Sequence, residues 1–283
     1  MTSPESELGL RRPTETYPVP HRAGIRFFRQ VTNGAGGLLA ETGRRGYFMR
    51  DIIRAFADPA TYMPETIRQM RRIGVDSVPL AVIVAAFIGA VISMQTRYQL
   101  FPGVELSLVG LATRMVIVLE LGPLLTALVL TGRVGARMTA EIGTMRVTEQ
   151  IDALETLAYD PIAFLIVPRL LAALVMVPVL TIFADAVGVY SGYLAGTMLT
   201  GIPPADYIEG LRLGFAPFQI VYSLIKSVLF GAAIAVNCSY EGYVTTAGAE
   251  GVGKATALAV VITSVTILII DALTAVILAP LLQ

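Results

Sequence analysis

The sequence predicts an all-α integral membrane protein with five transmembrane helices. Three observations carry this. Hydrophobic residues make up 55% of the 283 residues and charged residues only 15%, where a soluble domain carries about a quarter. Mean hydropathy is +0.70, too apolar for a globule with a polar shell. The few charges are unevenly placed, so that five apolar stretches are each long enough to cross a bilayer.

The same composition excludes other classes. Lys+Arg and Asp+Glu both number 21, which leaves no basic footprint for nucleic acid. One cysteine, Cys238, and one histidine, His21, exclude an internal disulfide framework and a Cys/His zinc cluster. Cys238 lies in an apolar run and reads as a small buried hydrophobe. No His lies in the spans, which argues against a lipid-processing membrane enzyme, and no catalytic residue or metal site is expected.

The spans follow in order. Asp76 and Arg97 bracket the twenty uncharged residues Ser77 to Thr96, which cover roughly 30 Å as a helix, one hydrocarbon core. A second stretch, Leu106 to Gly132, is interrupted by Arg114 and Glu120. A third, Ile162 to Thr200, is interrupted by Arg169 and Asp185. A fourth, Phe215 to Tyr240, carries Lys226 near its middle, and a fifth, Ala255 to Leu282, carries Asp271. The expected spans are thus about 76–98, 106–132, 162–200, 215–240 and 255–282. Ahead of them, residues 1–23 read as a disordered cytoplasmic tail without a signal peptide, and 24–283 as the membrane domain. Residues 24–57 mix Arg with Ile, Phe, Leu and Met, as suits an interfacial amphipathic helix. Asp58-Pro59 reads as an N-cap with proline at the first helical position, and Pro79 as a kink.

Orientation follows from the basic residues. Twelve of the 21 lie before residue 73, and Arg133, Arg137 and Arg146 sit between spans two and three. The positive-inside rule then puts the N-terminus, the 133–160 loop and the 241–253 loop in the cytoplasm, and an odd span count puts the C-terminus on the other side.

Three local patterns stand out. Gly188, Gly192 and Gly196 share one helical face and admit close helix packing, within one subunit or across a dimer. Gly248–Ala255 nearly fits a phosphate-binding loop, but Ala255 replaces the required Ser/Thr and no strand context precedes it. It reads as a flexible glycine loop with Lys254 anchoring the next span, so any driving ATP is bound by another chain. Between spans two and three, Val147, Ile151, Leu154 and Ala158 form an apolar stripe, while Arg146, Glu149, Gln150 and Asp152 project elsewhere. That short helix would lie on the bilayer or dock on a partner.

Here the residues carry a family resemblance. Glu120-Leu-Gly-Pro123, Gly-Arg-Val-Gly135, Thr139-Ala-Glu-Ile-Gly143, Met145-Arg-Val-Thr-Glu-Gln150 and Asp160-Pro161 resemble the MlaE/YrbE family of ABC-transporter permeases. The likeness continues through Pro168-Arg169, Leu224-Ile-Lys-Ser227 and Gly242-Tyr243 to Thr246-Ala-Gly248, and covers about residues 40–283. Family members commonly have arginine before the Glu of the first run, where this chain has Leu119.

The resemblance implies a permease in the bacterial inner membrane, working as a homodimer or paired heterodimer. It implies a separate cytoplasmic ATPase that binds the ATP, so no cofactor on this chain. It further implies a ring of MCE-domain proteins on the periplasmic side, and phospholipid as cargo, with sterols or fatty acids as the alternative. The coupling helix maps to roughly Gly143–Leu157, with Arg146, Glu149, Gln150, Ile151, Asp152 and Leu154 as the ATPase-facing set. Glu120, Asp185, Lys226 and Asp271 sit inside spans, where an unpaired charge costs several kcal/mol. They are the candidate residues of a lipid cavity, with structural pairing between helices as the alternative.

Overall fold

The computed structural model describes residues 43–56, 59–246, 248–278 and 280. The chain divides into two units, residues 1–47 and 48–283. The first is described only at 43–47; the helical residues 43–55 are named α1. The expected tail, His21, Asp58 and residues 24–42 of the expected interfacial segment lie outside the described residues.

The larger unit is helical, with no strand among the described residues. Its helices are α2 (Pro59–Ile73), α3 (Val78–Gln99), α4 (Ser107–Val116), α5 (Gly122–Leu130), α6 (Ala136–Val147), α7 (Gln150–Thr156), α8 (Val167–Met198), α9 (Pro204–Arg212), α10 (Phe218–Tyr243) and α11 (Gly248–Leu278). Five helical segments are long and apolar enough to cross a membrane: Tyr62–Gln99, Ser107–Val147, Ile162–Met198, Phe218–Tyr243 and Gly248–Leu278. The five-span, all-α architecture expected from the charge gaps is therefore present.

Several boundaries move, each for a local reason. Pro59 opens α2, where a missing N–H costs nothing. The break before the first span falls at Gly74 and the 3₁₀ turn Val75–Ser77, not at Pro79, which lies in the first turn of α3. A Cβ at Gly74 would run into the Met176 side chain of α8, so the break sits where two helices nearly touch.

The second span does not stop near 132. The helix runs on through a π turn at Thr131–Gly135 into α6, which ends at Val147. Met138, Thr139, Ile142 and Gly143 are buried, and the Thr139 hydroxyl donates to the Cys238 carbonyl at 2.8 Å. This part of the expected loop is thus a helical extension packed on α10 and α11. The glycine-rich segment 248–253 is likewise the start of α11, with Lys254 paired to Glu250 at 2.7 Å one turn back.

The interior helices are α8 and α10. Over their most apolar stretches 61% and 56% of residues are buried, against 22% for the first and fifth spans. Leu180, Phe230 and Ile234 fill the space between them. The glycine stripe settles its own question: a Cβ at Gly89 of α3 would strike the Gly188 carbonyl, and one at Gly192 or Gly196 would crowd Thr113, Ser93 or Tyr207. The stripe packs within this chain, on α3, α4 and α9.

Candidate functional site

Three of the four candidate cavity residues meet at one point. Lys226 of α10 is fully buried. Its ammonium lies 2.9 Å from Glu120 Oε2, 2.5 Å from Asp271 Oδ1 of α11, and 3.3 Å from the Leu119 carbonyl oxygen. The Tyr222 ring, one turn earlier on α10, sits 5.3 Å away. Between the two apolar faces of α10 and α11, this arrangement meets the need of a buried cation for charge and hydrogen-bond partners. The stem of a mid-span lysine is too short to reach either interface.

Glu120 lies in a π turn, Ile117–Leu121, ahead of Pro123. The Gly122 N–H reaches back five residues to the Ile117 carbonyl, and the widened turn re-aims the Glu120 carboxylate. Its side chain is 43% exposed on this chain, against 0% for Lys226 and 11% for Asp271. Glu120 is therefore the member that presents to the outside. With one ammonium and two carboxylates, the cluster holds more acidic than basic groups. It can accept hydrogen bonds or a positive charge from outside, while its lysine is fully occupied.

Asp185 is not part of this cluster. It accepts a hydrogen bond from Ser223 at 3.0 Å and lines a separate cleft. A Cβ at Gly122 would overlap its carboxylate, which explains the glycine beside Pro123.

On the extension, the expected coupling helix is shorter than Gly143–Leu157. Gly143 to Val147 belong to α6, and α7 begins only at Gln150. Glu149 between them has φ +58, a left-handed conformation that costs a non-glycine residue about 1–2 kcal/mol. Of the expected apolar stripe, Ile151 is fully buried in the core and Leu154 packs against it, while Ala158 lies beyond α7, exposed and with φ +61. Arg146 binds Asp152 at 2.6 Å, tying α7 to α6. Glu149, Gln150 and Asp152 form the exposed side.

Two features escaped the sequence reading. Glu141 contacts Arg137 at 2.9 Å, Arg169 at 3.3 Å and Arg72 at 3.9 Å, joining α2, α6 and α8. Arg114, noted only as an interruption, is buried beside Gln219 and the 213–217 turn. Its signal was the same as that of Lys226, a charge inside an apolar run.

A polytopic helical bundle with an ion cluster inside its spans, and a helical extension ending in a short exposed helix, defines a multi-pass membrane protein. Comparison with known proteins agrees. The family model for Permease MlaE matches residues 66–277, and the chain belongs to that family. It is 40% identical to a probable ABC transporter permease protein of Rickettsia prowazekii over 221 residues, 77% of this chain and 84% of that one. It is 31% identical to the intermembrane phospholipid transport system permease protein MlaE of Haemophilus influenzae, over 81% of this chain and 88% of that protein. It is 37% identical to the chloroplastic protein trigalactosyldiacylglycerol 1 of Arabidopsis thaliana, over 73% of this chain and 59% of that one. The chain is thus the transmembrane permease subunit of an ABC-type transporter, a multi-pass membrane protein.

Proposed function

We propose that this permease moves phospholipids between the inner membrane and the outer envelope, driven by ATP hydrolysis on a separate cytoplasmic subunit. The observation that carries the reading is the placement of Glu120. Its carboxylate faces outward from an apolar bundle, while its counter-ion Lys226 is sealed behind it. An apolar surface interrupted by one fixed polar cluster suits an amphiphile whose chains and headgroup must both be accommodated. The name of the Haemophilus relative supports phospholipid as that amphiphile.

The working unit in this reading is a homodimer whose two copies enclose the lipid path near Glu120. The ATPase docks on the exposed side of α7, at Glu149, Gln150 and Asp152, with Arg146 holding the helix in place. Ile151 and Leu154 act from behind, as core contacts. The N-terminus and α7 lie in the cytoplasm and the C-terminus in the periplasm, beneath a ring of MCE-domain proteins. The arginine asymmetry supports this orientation.

Native mass spectrometry of the purified complex, followed by lipid extraction, tests the reading. Phospholipid retained on a complex with two permease copies and an ATPase is the expected result. Retention of sterol or fatty acid in place of phospholipid, or a permease that never captures an ATPase, would overturn it.

A further inference from the structure

Arg114 poses a problem that the transport reading does not solve. It is 5% exposed, two turns into α4. Its guanidinium donates to Gln219 Oε1 at 2.9 Å and to the Leu213 carbonyl at 2.8 Å, and it lies over the Phe215 ring at 5.3 Å. Both acceptors are neutral and Nε has no partner. Among the described residues no carboxylate lies within ion-pair distance of it. A guanidinium does not shed its proton in a protein. A buried charge with no carboxylate in contact is unfavourable in an apolar bundle.

What Arg114 does face is space. It lines a cleft of about 630 Å³ between α4, α8, α9 and α10, within the roughly 300–1,000 Å³ of small-molecule sites. The walls are mainly apolar, from Ile182, Val189 and Tyr193 on α8 to Leu211 on α9 and Ile220 on α10, and the one carboxylate among them is Asp185 of α8, held by Ser223. None of the lining comes from α11, so the cleft is separate from the ion cluster that Asp271 completes. Ile182, Tyr190 and Ile220 are about half exposed on this chain, so the cleft opens sideways, toward hydrocarbon in a bilayer. Arg114 stands about 10 Å along α4 from its Ser107 end, close under the short helix α9 that covers that end of the bundle. A ligand that matches both the cation and the apolar walls joins an anionic group to an apolar tail, which is the chemistry of a lipid.

We propose that this cleft is a second lipid site, which holds the phosphate of a bilayer glycerophospholipid on Arg114 with an acyl chain along Ile182, Val189 and Ile220. Two of the five guanidinium N–H groups are used inside the protein; Nε is buried without a partner, and the second hydrogen of each terminal nitrogen remains for phosphate oxygens. The planar fork suits phosphate, and the contact is charge-assisted. The site stands on Arg114 and the cleft, and holds whatever the transported cargo is.

The test uses the full-length protein in nanodiscs containing trace phosphatidylethanolamine with a diazirine-bearing acyl chain. After irradiation, labelled peptides are mapped. Labelling of residues 182–193 and 208–220 is expected. Arg114→Gln should reduce it about tenfold, as fits the loss of a charge-assisted contact. Ile182→Trp should reduce it similarly by filling the chain path, with Arg114 and its partners intact, which keeps the test valid if the first variant folds poorly. Excess inorganic phosphate should leave labelling unchanged; displacement by it would assign the site to a free anion and overturn the proposal. A diazirine fatty acid that labels the cleft equally would overturn the phosphate assignment. Cleft peptides that stay unlabelled would mean another protein segment fills the space. Labelling indifferent to both variants would sink the proposal as well.

Discussion

The Lys226 ammonium donates to the Leu119 carbonyl oxygen at 3.3 Å. Leu119 is four residues before Pro123, so the regular α-helical donor for that oxygen is the N–H that proline lacks. One residue thus opens the helix and another, 107 positions from Leu119, supplies the missing donor. The same ammonium holds Glu120 and Asp271. The helix break, the π turn and the ion cluster are one device.

Removing the cation should therefore be costly. Lys226→Met strands two carboxylates and a carbonyl. Breaking a buried pair costs about 3–5 kcal/mol, and the half-exposed Glu120 places this case at the low end. Adding Asp271→Asn, the more buried acid, should rescue more stability than adding Glu120→Gln. Thermal unfolding in detergent measures both, and equal stability of the single variant and wild type would refute the pairing.

Pro123→Ala restores the N–H at that position. The expected result is a regular α-helix through 117–123, a shifted Glu120 and a less firmly held Lys226. Hydrogen exchange should show a protected amide at 123, and acetylation should reach Lys226 faster. A variant with unchanged lysine reactivity would show that the π turn does not depend on Pro123.

Glycines on the two kinds of surface should respond oppositely. Gly89→Ala drives a methyl into the Gly188 carbonyl and should abolish accumulation of folded protein, since backbone cannot step aside cheaply. Gly253→Ala meets nothing within 4 Å and should stabilise α11 by about 0.5–1 kcal/mol through helix propensity. Expression level and melting temperature separate the two.

Glu149 carries both a strained backbone and an exposed charge. Glu149→Gly should leave the fold as stable or raise stability by up to about 1 kcal/mol, while Glu149→Val should lower it. Glu149→Lys keeps the strain and reverses the charge. It should reduce co-purification of the ATPase without loss of folded permease, because a reversed charge at a docking surface lowers affinity. Wild-type ATPase recovery with Glu149→Lys would remove this residue from the interface.

Topology is checked by cysteine labelling in a Cys238→Ser background. Replacement of a fully buried Cys238 should be tolerated, since serine can still reach the neighbouring Thr263 hydroxyl. Cysteine at Thr148 should label from the cytoplasmic side and cysteine at Gln283 from the periplasmic side. Labelling of position 283 only from the cytoplasm would contradict the proposed orientation.

The sequence by itself determined the number of spans, because a bilayer demands long charge-free runs and the gaps between charges are visible in one dimension. It also marked Glu120, Lys226 and Asp271, since a charge inside such a run is conspicuous whatever surrounds it. It did not reveal that α6 continues the second span. The buried face of α6 alternates Met138 and Ile142 with Thr139 and Gly143, amid charged residues such as Arg137, Glu141 and Arg146, so no continuous apolar run marks it. Only the tertiary structure decided which charges pair. Lys226 meets partners 106 and 45 positions away, while Asp185, equally conspicuous, meets Ser223 and a cleft. Helical periodicity tells which residues share a face, but not which face of which other helix that face meets. The same limit applies to the glycines at 188, 192 and 196. Their spacing announced close approach, and the packing of Gly89, Thr113 and Tyr207 against them decided that the approach is within one chain.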